Sequence, residues 1–127
     1  MPILESARSI TAVAHGVNIN STADTAVTIP NGARRYIVRN ITTTNASGNL
    51  STATNQLGVY TAVSKGGTAV VTGATGTLTP LTSSTVFSDT TIANAGTFNA
   101  STLYVNVQAG NLSGTVDVYF FIDILDN

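Results

Sequence analysis

Few residues in this 127-residue chain carry side chains that could do chemistry. Its single histidine, His15, stands beside Gly16. A Ser-His-Asp hydrolase would have to use it, yet no G-x-S-x-G elbow exists to present a serine. The plainer reading is a surface or interface histidine near the start of the fold. Asp117, Asp123 and Asp126 lie close in sequence, as paired carboxylates for acid/base work would. On one straight strand, however, Asp117 and Asp123 stand about 20 Å apart at ~3.3 Å per residue, beyond the spacing of a glycosidase pair. Cysteine is absent, which removes thiol nucleophiles, Cys-ligated zinc and disulfides. There is no D-x-[DN]-x-[DN]-G calcium loop, no Walker A pattern and no GxGxxG. The expectation is a chain with no catalytic residue, no metal and no cofactor.

Two features point toward contact rather than catalysis. Arg34, Arg35 and Arg39 gather three of the five positive charges; they read either as a dock for an acidic protein surface or as a solvated strand face. Tyr119 and Phe121 sit on the non-core side of the last apolar segment, where an aromatic pair is costly to leave in water. Either that strand is central and covered on both sides, or its second face is buried in an oligomer. The sequons at Asn20, Asn40, Asn45, Asn49, Asn99 and Asn111 follow mostly from composition, since the chain has twelve Asn and is about a quarter Ser and Thr.

The elements that must position these residues are strands. Leu, Glu, Lys, Gln and Arg are scarce while Thr and Val abound, which disfavours helix. Val116, Val118, Phe120, Ile122 and Ile124 alternate with Thr115, Asp117, Tyr119, Phe121 and Asp123, and the first set is expected in the core. Leu103, Val105 and Val107 share one face of the preceding segment, and the turn-rich stretch 109–114 makes the two read as a hairpin. In Arg35–Ile41, Tyr36 and Val38 take one face, and Ile37 and Ile41 with Arg35 and Arg39 the other. Gln56–Val63 and Thr68–Val71 flank Lys65-Gly66-Gly67, the expected tip of a second hairpin. Asp24–Ile29 and Ile10–Ile19 are further candidates, and Thr42–Thr54 and Gly73–Pro80 read as loops. This predicts an all-β, single-domain antiparallel β-sandwich, jelly-roll-like, of about seven to nine short strands. Residues 1–9 form an N-terminal arm and 10–127 the sandwich.

Composition narrows the partners. Charged residues are 9% of the chain, against roughly 25% in average soluble domains. With net charge −1 there is no basic excess for phosphates or anionic lipid, so neither nucleic acid nor membrane is expected as a partner. The N-terminus lacks the pattern of a Sec signal, and no apolar run approaches the roughly 20 residues of a membrane-spanning helix. A surface so poor in charge is prone to associate.

Tyr36-Ile37-Val38-Arg39-Asn40, Leu57-Gly58-Val59-Tyr60-Thr61 with Gly66-Gly67, Leu103-Tyr104-Val105-Asn106-Val107 and Thr115-Val116-Asp117-Val118-Tyr119-Phe120 form a series that resembles small all-β virion proteins of tailed bacteriophages, of the head decoration or capsid cement type. The resemblance runs from about Arg34 onward. Family members often place a glycine after the aromatic strand, where this chain continues Phe121-Ile122-Asp123-Ile124. It implies a non-enzymatic protein, made in the host cytoplasm and located on the capsid surface of the virion. There it would bridge subunits of the major capsid protein, commonly as a homotrimer. On that reading Tyr119 and Phe121 form the oligomer interface. Ile3 and Leu4 in the arm, with Arg34, Arg35 and Arg39, contact the capsid. The alternative is a tail-associated or receptor- or carbohydrate-binding β-module, against which the absence of Trp counts.

Overall fold

The computed structural model describes residues 8–29, 35–73, 78–90, 92–93 and 96–125. Over them the chain forms eight strands and no helix: β1 (Arg8–Asn18), β2 (Thr25–Thr28), β3 (Tyr36–Thr44), β4 (Gln56–Ala62), β5 (Gly66–Val71), β6 (Ser88–Thr90), β7 (Thr102–Gln108) and β8 (Thr115–Ile124). They make two four-stranded antiparallel sheets, sheet A in the order β1-β8-β3-β6 and sheet B in the order β2-β7-β4-β5. First pairs with last, second with seventh, third with sixth and fourth with fifth. That nesting is a long antiparallel ribbon rolled over on itself, and it defines an eight-stranded jelly roll.

The core lies between the sheets and follows the period-2 alternation of strands. Val116, Val118, Phe120, Ile122 and Ile124 of β8 are each fully buried, facing Leu57 and Val59 of β4 and Leu103, Val105 and Val107 of β7 from the other sheet. The loops at one end close over that core. The Asn55 amide donates to the carbonyls of Ile19 and Leu112 at 2.8 and 2.9 Å, and Leu50 N–H donates to Leu81 O at 2.9 Å, so four connections are tied together. Leu50, Leu78 and Leu81 are buried beneath them.

Several local expectations are corrected. Residues 103–108 and 115–124 are not a hairpin: β7 pairs with β2 and β4, whereas β8 pairs with β1 and β3. The 109–114 connection crosses between sheets, because both strands have core-facing residues and each buries them better opposite the other than beside it. Ile41 does not share a face with Ile37. A bulge between Val38 and Asn40 leaves Arg39 as the extra residue, which shifts the alternation and sends Ile41 into the core with Tyr36 and Val38. β3 also continues through Thr42–Thr44, expected as loop, because β8 and β6 supply hydrogen-bonding partners on both sides. The β4–β5 turn sits on Ser64 and Lys65, both with positive φ (55° and 61°), closed by Gly66 N–H to Val63 O at 3.0 Å. This is a type I′ geometry one residue earlier than the glycines suggest. Arg8 and Ser9 belong to β1; the rest of the arm segment lies outside the described residues.

Candidate interaction face

The outer side of sheet A carries most of the residues singled out by sequence. β8 runs through its centre, flanked by β1 and β3, so its outward side chains acquire neighbours from both. Val13 and Thr42 stand beside Tyr119, Thr11 and Asn40 beside Phe121, and Ser9 and Ile37 beside Asp123. Tyr119 and Phe121 remain half-buried, as do Val13 and Ile37. The result is an apolar stripe between two polar borders.

One border is built on Asp117. Gly16 adopts φ 63° at a bulge in β1, a conformation that glycine reaches without steric penalty, and its N–H donates to Asp117 Oδ1 at 2.8 Å. The Asn45 amide donates to Oδ2 at 2.9 Å, and His15 Nδ1 lies 3.4 Å from the same oxygen. Burial pushes the Asp117 carboxyl up, but the bonds from Gly16, Asn45 and His15 together outweigh it and hold the group below the usual carboxylate value. The His15 side chain stays 71% exposed, its ring edge-on to Tyr119 with centroids 6.3 Å apart. This is an Asp-His pair without a nucleophile, since no hydroxyl among the described residues hydrogen-bonds to His15.

The other border holds Asp123, which accepts from Ser9 Oγ at 2.7 Å and pairs with Arg39 at 3.8 Å. On β6, Asp89 accepts from Thr42 Oγ1 at 2.7 Å and from the Asn40 amide at 3.3 Å. Away from this face, Asp24 accepts from the Asn106 amide at 2.8 Å and from Ser64 N–H at 2.9 Å. Asp24, Asp89, Asp117 and Asp123 are thus all engaged in structural hydrogen bonds. Among the described residues no group of three His, Cys, Asp or Glu side chains could hold a metal ion. The amides of Asn40, Asn45 and Asn111, three of the sequon positions, are likewise committed to internal hydrogen bonds.

The structure therefore brings His15, Asp117, Tyr119, Phe121, Arg39 and Asp123 onto one face. It does not bring Asp117 and Asp123 together, because each is held at its own border. Arg35 is exposed just before β3, its carbonyl accepting from Leu125 N–H at 2.8 Å. Ile3, Leu4, Arg34 and Asp126 lie outside the described residues. Sequence reasoning missed Phe87, which is 64% exposed; an aromatic alone in a Ser/Thr-rich stretch was the available signal. It also missed Tyr60 and Tyr104, cross-strand neighbours on the outer side of sheet B.

No protein-family model and no curated protein matches this chain. Among solved structures, a chain of the cyanophage Pam1 capsid asymmetric unit is similar at 18% identity and a TM-score of 0.46, with 96% of this chain and 88% of that one covered.

Proposed function

We propose that this chain is a non-enzymatic structural virion protein, a capsid decoration or cement protein. It binds the outer surface of a phage head as a homo-oligomer, a trimer in the simplest case, and stabilises the head by bridging major capsid subunits. The observation that carries this reading is the outer face of sheet A, where an aromatic stripe is presented on a rigid sheet whose carboxylates are all consumed internally. Such a face is suited to contact and ill suited to turnover. The sequence resemblance supplies the kind of partner. Cement action then follows from multivalency: weak contacts on one rigid oligomer act at high effective concentration, and binding the assembled state stabilises it by mass action.

One observation favours the second reading, a receptor- or carbohydrate-binding module of the virion. The exposed His15 imidazole set edge-on to Tyr119 makes a polar-aromatic corner of the kind sugars use. The deciding experiment is light scattering on the purified chain, followed by co-sedimentation with undecorated capsids. A mass near three times 13.0 kDa with saturable capsid binding is expected. A monomer that ignores capsids overturns the cement reading, and glycan binding by that monomer would favour the second.

A further inference from the structure

We propose that β6 is a releasable strap: the segment Val86–Thr90 leaves the edge of β3 and returns to it while the rest of the jelly roll stays folded. The strap belongs to the chain itself and is independent of what the outer face of sheet A binds.

The two edges of sheet A are held by different means. β1, at one edge, sends Ala12, Ala14 and Val17 into the core, with Ile10 packed against it. β6, at the other, is three residues long and pairs only with β3. Its register, Thr43↔Ser88, Thr42↔Asp89 and Ile41↔Thr90, turns Ser88 and Thr90 inward and Asp89 outward. β6 therefore sets hydroxyls where β1 sets methyl groups. Phe87, the one aromatic of the segment, is 64% exposed and adds little burial. A strand with so little apolar area removed from water belongs to the low-stability end of a fold.

The inward side of the seam is also penalised. Thr43 is fully buried and Thr90 is 8% exposed, and the Oγ1 of each is buried without a hydrogen-bond partner. A hydroxyl so placed has lost its bonds to water and gained none. Among the described residues these are the only two such side-chain atoms, and both lie where β6 meets β3. Opening the seam returns them to water. What holds the strap closed is polar and on the outer side. Asp89 accepts from Thr42 Oγ1 at 2.7 Å and from the Asn40 amide at 3.3 Å, and Thr44 Oγ1 donates to Val86 O at 2.9 Å. Bonds of this kind exchange for bonds to water at small net loss.

The chain is anchored on both sides of the strap. Upstream, Leu81 is buried and its carbonyl accepts from Leu50 N–H at 2.9 Å; downstream, Ala93 N–H donates to Val70 O at 2.7 Å. The strap can thus open and find its place again. Asn40 and Thr42 stand beside Phe121 and Tyr119, so the docked strap fixes the polar margin of the aromatic stripe and the released strap frees it.

The absence of cysteine makes the test clean. Thr43→Cys reads the opening, with Val118→Cys as control, because the two positions are register partners on β3 and β8 and both are fully buried. Dithionitrobenzoate is expected to label the Thr43→Cys thiol about tenfold faster than the Val118→Cys thiol or more, at a rate that low urea leaves unchanged, since local opening exposes little surface. Adding Thr90→Val to Thr43→Cys removes the remaining unpartnered hydroxyl and is expected to slow labelling about tenfold. Adding Asp89→Ala is expected to speed it. Equal labelling of the two thiols, a urea dependence equal to that of global unfolding, or labelling unchanged by Thr90→Val overturns the strap. If Thr43→Cys fails to fold, amide hydrogen exchange of the parent and Thr90→Val chains gives the same comparison, and β6 amides that exchange no faster than those of β8 overturn it.

Discussion

The two sheets of this jelly roll both carry aromatic side chains on their outer faces, and they dispose of them differently. On sheet B, Tyr60 folds over Gly58 in its own strand. A Cβ at position 58 would stand 2.8 Å from both Cε2 and the hydroxyl of the ring. Tyr60 is only 9% exposed as a result, and Asn106 on the same face is covered through its bonds to Thr22 O and Asp24 at 3.1 and 2.8 Å. On sheet A, the cross-strand neighbours of Tyr119 and Phe121 are Val13, Thr11, Thr42 and Asn40, none of them a glycine. Sheet B buries Tyr60 within the chain and leaves only Tyr104 half-covered, whereas sheet A leaves both Tyr119 and Phe121 half-covered. With two half-covered rings neighbouring each other on one face of β8 against one on sheet B, sheet A is the face we propose for a partner.

The comparison breaks most decisively if a charge is placed on each face. Phe121→Asp should abolish association, since truncating a central interface aromatic alone typically costs about 2–4 kcal/mol and a buried carboxylate adds to that. Tyr104→Asp, on sheet B, should leave the oligomer intact and affect only the stability of the fold. Sedimentation velocity on both variants reads the outcome. A soluble Phe121→Asp oligomer of unchanged mass refutes the assignment of the face.

A second variant sharpens the contrast from the other side. Gly58→Ala should displace the Tyr60 ring into solvent and lower unfolding stability by about 1–2 kcal/mol, in the range of overpacked sites. It should do so without changing oligomer mass. The ring is the movable partner here, so a rise in tyrosine reactivity should accompany the loss. Equal stability with Tyr60 still protected would mean that the ring does not depend on the missing Cβ.

The same contrast explains what was legible in the sequence. The inward set of β8 could be read directly, because five large apolar residues alternating without a break admit one burial pattern. So could the β4–β5 hairpin, whose strands are neighbours in both sequence and space. The partners of β7 and β8 could not, because sequence proximity favours a hairpin, while the actual partners of β8 come from the far end of the chain and from β3. β6 carries only Ser88, Asp89 and Thr90 and has no apolar signal; it exists because β3 offers a free edge. The face of Ile41 turned on one bulged residue, Arg39, which no period count contains. Tyr119 and Phe121 were visible as outward aromatics. The His15, Asn45 and Asp117 border was not, since its members come from three distant segments, and the positive φ of Gly16 and Asn45 that aims them is a tertiary outcome.

That border makes a pH prediction of intermediate size. The Asp117 carboxyl is held below its ordinary value in the folded protein, so it contributes stability that is fully present above the unfolded carboxylate value of about 3.9. That contribution is lost as pH falls through the lower folded value. Asp117→Asn removes it and turns an amide donor toward the Asn45 amide or His15, at a cost of about 1–3 kcal/mol at neutral pH. Thermal melts from pH 7 down to 3 should show the gap between parent and variant narrowing on acidification. A gap that is constant with pH would show that the carboxylate's charge contributes nothing to the border.

The smallest effect on the fold belongs to the arginines. Arg39 and Asp123 meet at 3.8 Å with the Arg39 side chain 55% exposed, and such surface pairs contribute about 0–1 kcal/mol. Arg35→Glu combined with Arg39→Glu should therefore leave the melting temperature nearly unchanged. Long-range attraction to a partner surface is a separate matter, because reversing two charges alters encounter and register even where it scarcely alters folding. If these arginines face an acidic capsid surface, the double reversal should lower the number of copies bound per capsid, with the deficit growing as ionic strength falls and screening weakens. Occupancy equal to that of the parent chain at low salt would return Arg35 and Arg39 to a solvated face and leave the aromatic stripe as the part of sheet A committed to binding.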